Sequence, residues 1–75
     1  MSEKLPRISA KQLIAVLERV GFIFIRQSGS HKIYKNGSGK RVTIPFHAEK
    51  ILHPKIVKST CEDAGISIDK LREIL

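Results

Sequence analysis

The segment Asn36-Gly37-Ser38-Gly39 constrains this chain more than any other, because it stands between two short runs, 30–35 and 40–44, that hold β-branched and aromatic residues. Asn-Gly in that position is the strongest short-range signal for a β-hairpin. The runs are therefore predicted as strands, Ser30 to Lys35 and Lys40 to Ile44. Pro45 cannot donate a ladder hydrogen bond, so it closes the second run or lies on a sheet edge. Upstream, Phe22-Ile23-Phe24-Ile25-Arg26-Gln27 is a third strand, too short between Gly21 and Ser28-Gly29 for a helix. With Ser28-Gly29 as the turn, the middle of the chain reads as a three-stranded antiparallel meander.

Helices flank it. Ser9-Ala10-Lys11-Gln12 has the form of a capping box, and Leu13, Ile14, Leu17 and Val20 recur on one helical face before Gly21, which places a helix at about 10 to 20. Pro54 suits a first helical turn, and Ile56, Val57, Thr60, Cys61 and Ala64 share a face before Gly65. Ser67 can cap a last short helix with Ile68, Leu71, Leu75 and Ile74 inward. Sequential strands with helices on one side make an α+β fold, a two-layer α-β-β-β-α sandwich with a short C-terminal helix and one free sheet face. The whole chain, 1–75, is read as one domain.

A chain of this length has little material for a deep cavity, so a ligand is expected on its surface. Fourteen Lys and Arg against seven Asp and Glu give a net charge of +7, which attracts polyanions, nucleic acid foremost. The lone cysteine, Cys61, falls at an apolar helical position and is read as a buried thiol in a reducing, cytoplasmic setting. No apolar run approaches the length of a membrane span. One Cys and three scattered His match no zinc spacing, and neither metal nor cofactor is expected.

Gly29-Ser30-His31-Lys32 sets a histidine just past a turn, with Arg26 and Gln27 on the preceding strand. A neutral imidazole there can serve as a general base. The chemistry it suits is cleavage of RNA by the RNA's own 2′-hydroxyl, a step that requires no metal and that DNA cannot undergo. The bland reading is an exposed strand histidine. Lys32, Lys35, Lys40 and Arg41 cluster on the second and third strands and their hairpin, and Lys50, Lys55 and Lys58 mark the second helix and its approach. Such a patch grips phosphates without reading sequence. Tyr34 falls among these lysines as either a stacking or a packing group. Asn36-Gly37-Ser38-Gly39-Lys40 lacks the spacing of a phosphate loop and joins two strands, so nucleotide hydrolysis has no support.

Gly21-Phe22, Arg26-Gln27-x-Gly29-Ser30-His31 and Pro45-x-His47 stand in the order and spacing of the HicA (YcfA-like) toxins, and the chain resembles that family from its first helix through Ala64-Gly65-Ile66. The resemblance implies cleavage of messenger RNA, a fold like that of double-stranded RNA-binding domains, His31 as the catalytic histidine, and a HicB-type antitoxin that covers the RNA surface. The candidate RNA contacts are then Arg26, Ser30, Lys32, Lys35, Lys40 and Arg41. His47 matches the family's Pro-x-His element and is a possible proton donor, with local loop shaping as its other reading; His53 reads as a helix-start residue. The chain departs from the family where a Gly-Thr pair often opens the second long helix, because Lys55-Ile56 stands there instead. That puts in doubt any phosphate contact from helix-start amides. The alternative function is a non-catalytic basic RNA-binding module. A DNA-binding regulator is the third, for which no helix-turn-helix is evident.

Overall fold

The computed structural model describes residues 5–47 and 50–75. Its elements run α1 (Ala10–Arg19), β1 (Ile23–Ser28), β2 (His31–Lys35), β3 (Arg41–Pro45), α2 (Pro54–Ala64) and α3 (Ile68–Ile74). The strands form one antiparallel sheet in the order β1-β2-β3. This is the α+β sandwich with a C-terminal helix that the strand and helix signals imply, and it agrees with the layout of a double-stranded RNA-binding domain.

Local chemistry accounts for each boundary. Ser9 Oγ accepts from the Gln12 amide at 3.2 Å while Gln12 Oε1 accepts from the Ser9 amide at 2.9 Å, a complete capping box. Ser67 Oγ caps α3 by accepting from the Lys70 amide at 3.0 Å. The 36–40 hairpin is wider than an Asn-Gly turn. Gly39 N–H donates to Asn36 O, Gly39 takes φ 86°, and Asn36 Oδ1 accepts from both Ser38 and Lys40 amides. Asn36 therefore works through its side chain, and the left-handed residue is Gly39.

Each strand sits about one residue later than the apolar runs suggest, and the first turn is Gly29-Ser30, because Ser28 pairs directly with His31. Gly29 at φ 60° followed by a residue of negative φ is the pattern of a type II′ loop, which requires glycine first.

Alternation sorts the strands into faces. Tyr34, Val42 and Ile44 enter the core with Leu13, Leu17, Val57, Cys61 and Leu71. Tyr34 pairs with Val42 and Lys32 with Ile44, so these four share the helix side. His31, Ile33 and Lys35 point the other way, with Pro45, Thr43 and Arg41 opposite them. Helices α1 and α2 both pack on β3 and leave that second face uncovered, giving a slab 17 Å in its short dimension. Leu75 was expected inside but is exposed, because α3 ends at Ile74 and the last residue leaves the helical face.

The connector after β3 ties the helices together. Leu52 N–H donates to Ile8 O at 2.8 Å, and Ser9 bridges to Ile51, so the starts of α1 and α2 lie side by side. The far end of α2 meets the hairpin, where the Lys40 side chain lies against Gly65. Both long helices thus begin at the end of the sheet where β3 finishes and β2 starts.

Burial pushes the Tyr34 phenol above its ordinary range, with Glu18 adding to the rise, and burial followed by Glu62 does the same to the Cys61 thiol. The fold favours both protonated forms, so their contribution is complete below the unfolded-chain values and is lost as pH rises through the folded ones. Urea midpoints should be level near neutral pH and fall above about pH 9, first through Cys61 and then through Tyr34, with Tyr34→Phe showing the shallower fall.

Candidate functional site

His31 is the first residue of β2 and is exposed. Three contacts hold its surroundings. Gln27 Nε2 donates to Gly29 O at 2.9 Å and closes the preceding turn. Phe46 N–H donates to Ser30 O at 2.6 Å and ties that turn to the end of β3. Ser28 and Pro45 flank His31 on either side as its cross-strand partners.

On the open face, Arg26 pairs with Ile33 and is therefore the diagonal neighbour of His31, with Cβ atoms about 7–8 Å apart or less. Lys35 and Arg41, paired with each other, share this face about 13 Å farther along β2. Ile33 and Thr43 occupy the rows between. A track of exposed cations runs from His31 along one face of the sheet.

The other candidates lie elsewhere. Lys32 is on the helix side, its Nζ 3.9 Å from the centre of the Phe46 ring, a cation–π contact. Lys40 extends toward the C-terminal end of α2, so it is also separate from His31. Ser30 is half-buried in the turn, with its carbonyl engaged by Phe46. Tyr34 is a core residue, its ring edge-on to Phe24 at 5.6 Å between centroids, which removes it as a base-stacking platform.

Between Glu18 and Glu49 the chain has no acidic residue. The carboxylates among the described residues are on the helices, and the recorded ion pairs, Lys70–Glu73 and Asp69–Arg72, are both within α3. The sheet thus presents positive charge without neutralisation, the field that draws in phosphates.

At the His31 end of the sheet, His47 is exposed two residues beyond Pro45, Lys50 lies on the approach to α2 and Lys55 in its first turn. Helix α2 itself offers no amide to a ligand in its first turn. Pro54 has none, Lys55 N–H donates to His53 Nδ1 at 3.1 Å, and the Ile56 and Val57 amides donate to His53 O. The doubt raised by Lys55-Ile56 is therefore resolved against an amide cradle, and His53 is the N-cap of α2, as its position before Pro54 suggested. Cys61 is buried inside the same helix, away from the sheet's open face.

The profile described as HicA toxin of bacterial toxin-antitoxin systems matches residues 10–66, from the start of α1 to just past α2. The chain belongs to the HicA toxin family. No curated relative matches it. Membership makes this HicA-family chain a toxin of a toxin-antitoxin pair, with an antitoxin as partner. Among its described residues no helix is long and apolar enough to cross a membrane.

Two features of this HicA-family site escaped the sequence reading. Gln27 locks the turn, and Ser28 stands directly across from His31. Glycine at the first position of a two-residue loop is the signal that would have paired Ser28 with His31. Replacing the α2 cap, His53→Ala, should lower stability by about 1 kcal/mol in urea unfolding, and His53→Asn should restore most of it because an amide oxygen can accept from the same N–H.

Proposed function

We propose that this toxin is a metal-independent endoribonuclease that cleaves messenger RNA, with His31 as general base, and that a HicB-type antitoxin holds it inactive. The observation that carries the reading is an exposed imidazole at the head of an acid-free cation track on an uncovered sheet face. RNA laid along that track has its phosphates over Arg26 and, farther along, Lys35 and Arg41.

In the reaction, His31 takes the proton of a 2′-hydroxyl. The 2′-oxygen bonds to the adjacent phosphorus as the bond to the 5′-oxygen breaks, leaving a 2′,3′-cyclic phosphate and, after proton transfer to the leaving oxygen, a 5′-hydroxyl. General base catalysis contributes about 10²- to 10⁴-fold. Arg26, as diagonal neighbour, offsets charge that develops on the phosphoryl oxygens. His47, at the same end of the sheet, is the candidate donor to the 5′-oxygen. Lys32 and Lys40, directed elsewhere, act on RNA through the general field instead of by contact.

In chelator, the wild-type chain should cut labelled RNA to cyclic-phosphate ends and bind DNA without cutting it. His31→Ala should bind RNA within about threefold of wild type and lose cleavage by at least about 10²-fold. Cleavage by His31→Ala at the wild-type rate overturns the assignment, and binding without cleavage by the wild type makes the chain an RNA-binding module.

The same face predicts a ranking. Arg26→Ala should weaken RNA binding and reduce its salt slope by about one ion, whereas Lys32→Ala should leave the slope nearly unchanged. Filter binding across a salt series measures both.

A further inference from the structure

Strand β1 is the least covered element of the sheet. It pairs only with β2, so its outer edge carries free backbone groups. Every residue from Ile23 to Ser28 is exposed. Three consecutive large apolar side chains stand on it, Ile23 at 64%, Phe24 at 50% and Ile25 at 48% exposure. Side chains of this size, grouped and in water, mark a surface that another molecule covers.

The surroundings restrict what that molecule can be. The two isoleucines offer RNA neither a stacking plane nor a positive charge, and Phe24, the aromatic among the three, is edge-on to Tyr34 on the helix side, away from the cation track, which argues for a protein. Lys35 lies directly across from Ile23, Arg26 follows Ile25, and β1 itself carries no carboxylate; Glu18 acts on the helix side, on Tyr34 across from Phe24. A second copy of this chain would bring the same cations to the same place and a net charge of +7 to meet +7. The complement is a protein surface with an apolar centre bordered by Asp and Glu. Register points the same way, because the ladder shifts between Phe24 and Arg26, a bulge that spoils regular strand-on-strand stacking of identical copies.

We propose that the exposed β1 edge is the docking site of this toxin's antitoxin, through an apolar surface bordered by carboxylates that also neutralises Arg26 and Lys35. Strand β1 ends at Ser28, the cross-strand neighbour of His31. A partner seated on β1 therefore takes two cations of the RNA track and stands beside the base without needing to contact it. This regulatory consequence rests on the ribonuclease reading; the docking site does not.

The test uses the full chain and, as probe, its cognate antitoxin. The double variant Ile23→Ser with Ile25→Ser should raise the dissociation constant at least about 30-fold, because large apolar residues at the centre of a contact carry most of its energy. A second variant, Ile23→Thr with Ile25→Thr, keeps strand propensity and should weaken binding in the same direction. Thermal unfolding and the free chain's RNA cleavage should both remain at wild-type values. Wild-type affinity for the antitoxin should fall as salt rises.

Antitoxin affinity within about threefold of wild type in both double variants would overturn the proposal. So would self-association of the wild-type chain that the variants lose, which would assign the edge to a second copy. If His31→Ala still cleaves RNA while the Ile23/Ile25 variants lose the antitoxin, the ribonuclease reading fails and the docking site stands. The reverse pair of results sinks the docking site alone.

Discussion

Val42 and Ile44 lie fully buried beneath α1 and α2, and the rest of the molecule is arranged around that packing. Side chains on a strand alternate, so burying these two commits Thr43, Arg41 and Pro45 to the opposite face. Register then extends the commitment across the sheet. Tyr34 must follow Val42 inward, His31 must follow Pro45 outward, and Arg26 is carried outward with Ile33. A slip of one residue would exchange the faces, sending the imidazole toward the helices and Lys32 into the open. The chemistry of the open face is thus held in place by apolar contacts on the other side of the sheet.

Presentation of His31 adds a second, local layer of control. The turn before it needs glycine at φ 60°, is braced by the Gln27 amide, and is tied to the chain after β3 through Phe46. These bonds converge on the turn instead of on the imidazole, so the backbone of His31 is held while its side chain is exposed. His53 does the reverse. Its Nδ1 accepts from an amide at the start of α2, and that engagement makes it a structural residue although it shares an end of the molecule with His31.

Charge and apolar surface are segregated in the same economical way. Carboxylate side chains among the described residues are on the helices, where Lys and Arg accompany them, whereas the strands carry cations and no acid, so attraction of a polyanion is concentrated on the sheet. Three consecutive exposed apolar side chains sit at one edge of the sheet, on β1. Under the two proposals, an RNA and a protein partner meet on adjoining surfaces and share Arg26 and Lys35.

Much of this was legible in the amino-acid order. The capping box at Ser9, the proline and glycine that bound α2, the three short β runs and the excess of positive charge are local signals that need no partner to be read, and they determined the element order, the α+β class and the cationic character of the middle of the chain. The Arg26-Gln27-x-Gly29-Ser30-His31 motif likewise singled out one histidine of three. Which cations accompany it was not legible. Lys32 is adjacent to His31 in sequence and points away from it, whereas Arg26 is five positions back and lies beside it, because proximity on a sheet is decided by strand pairing and alternation. The Asn36 loop, the bulge after Phe24 and the exposure of β1 were also decided in three dimensions, for the same reason: hydrogen-bond register and helix coverage are properties of elements meeting each other, and no single segment contains them.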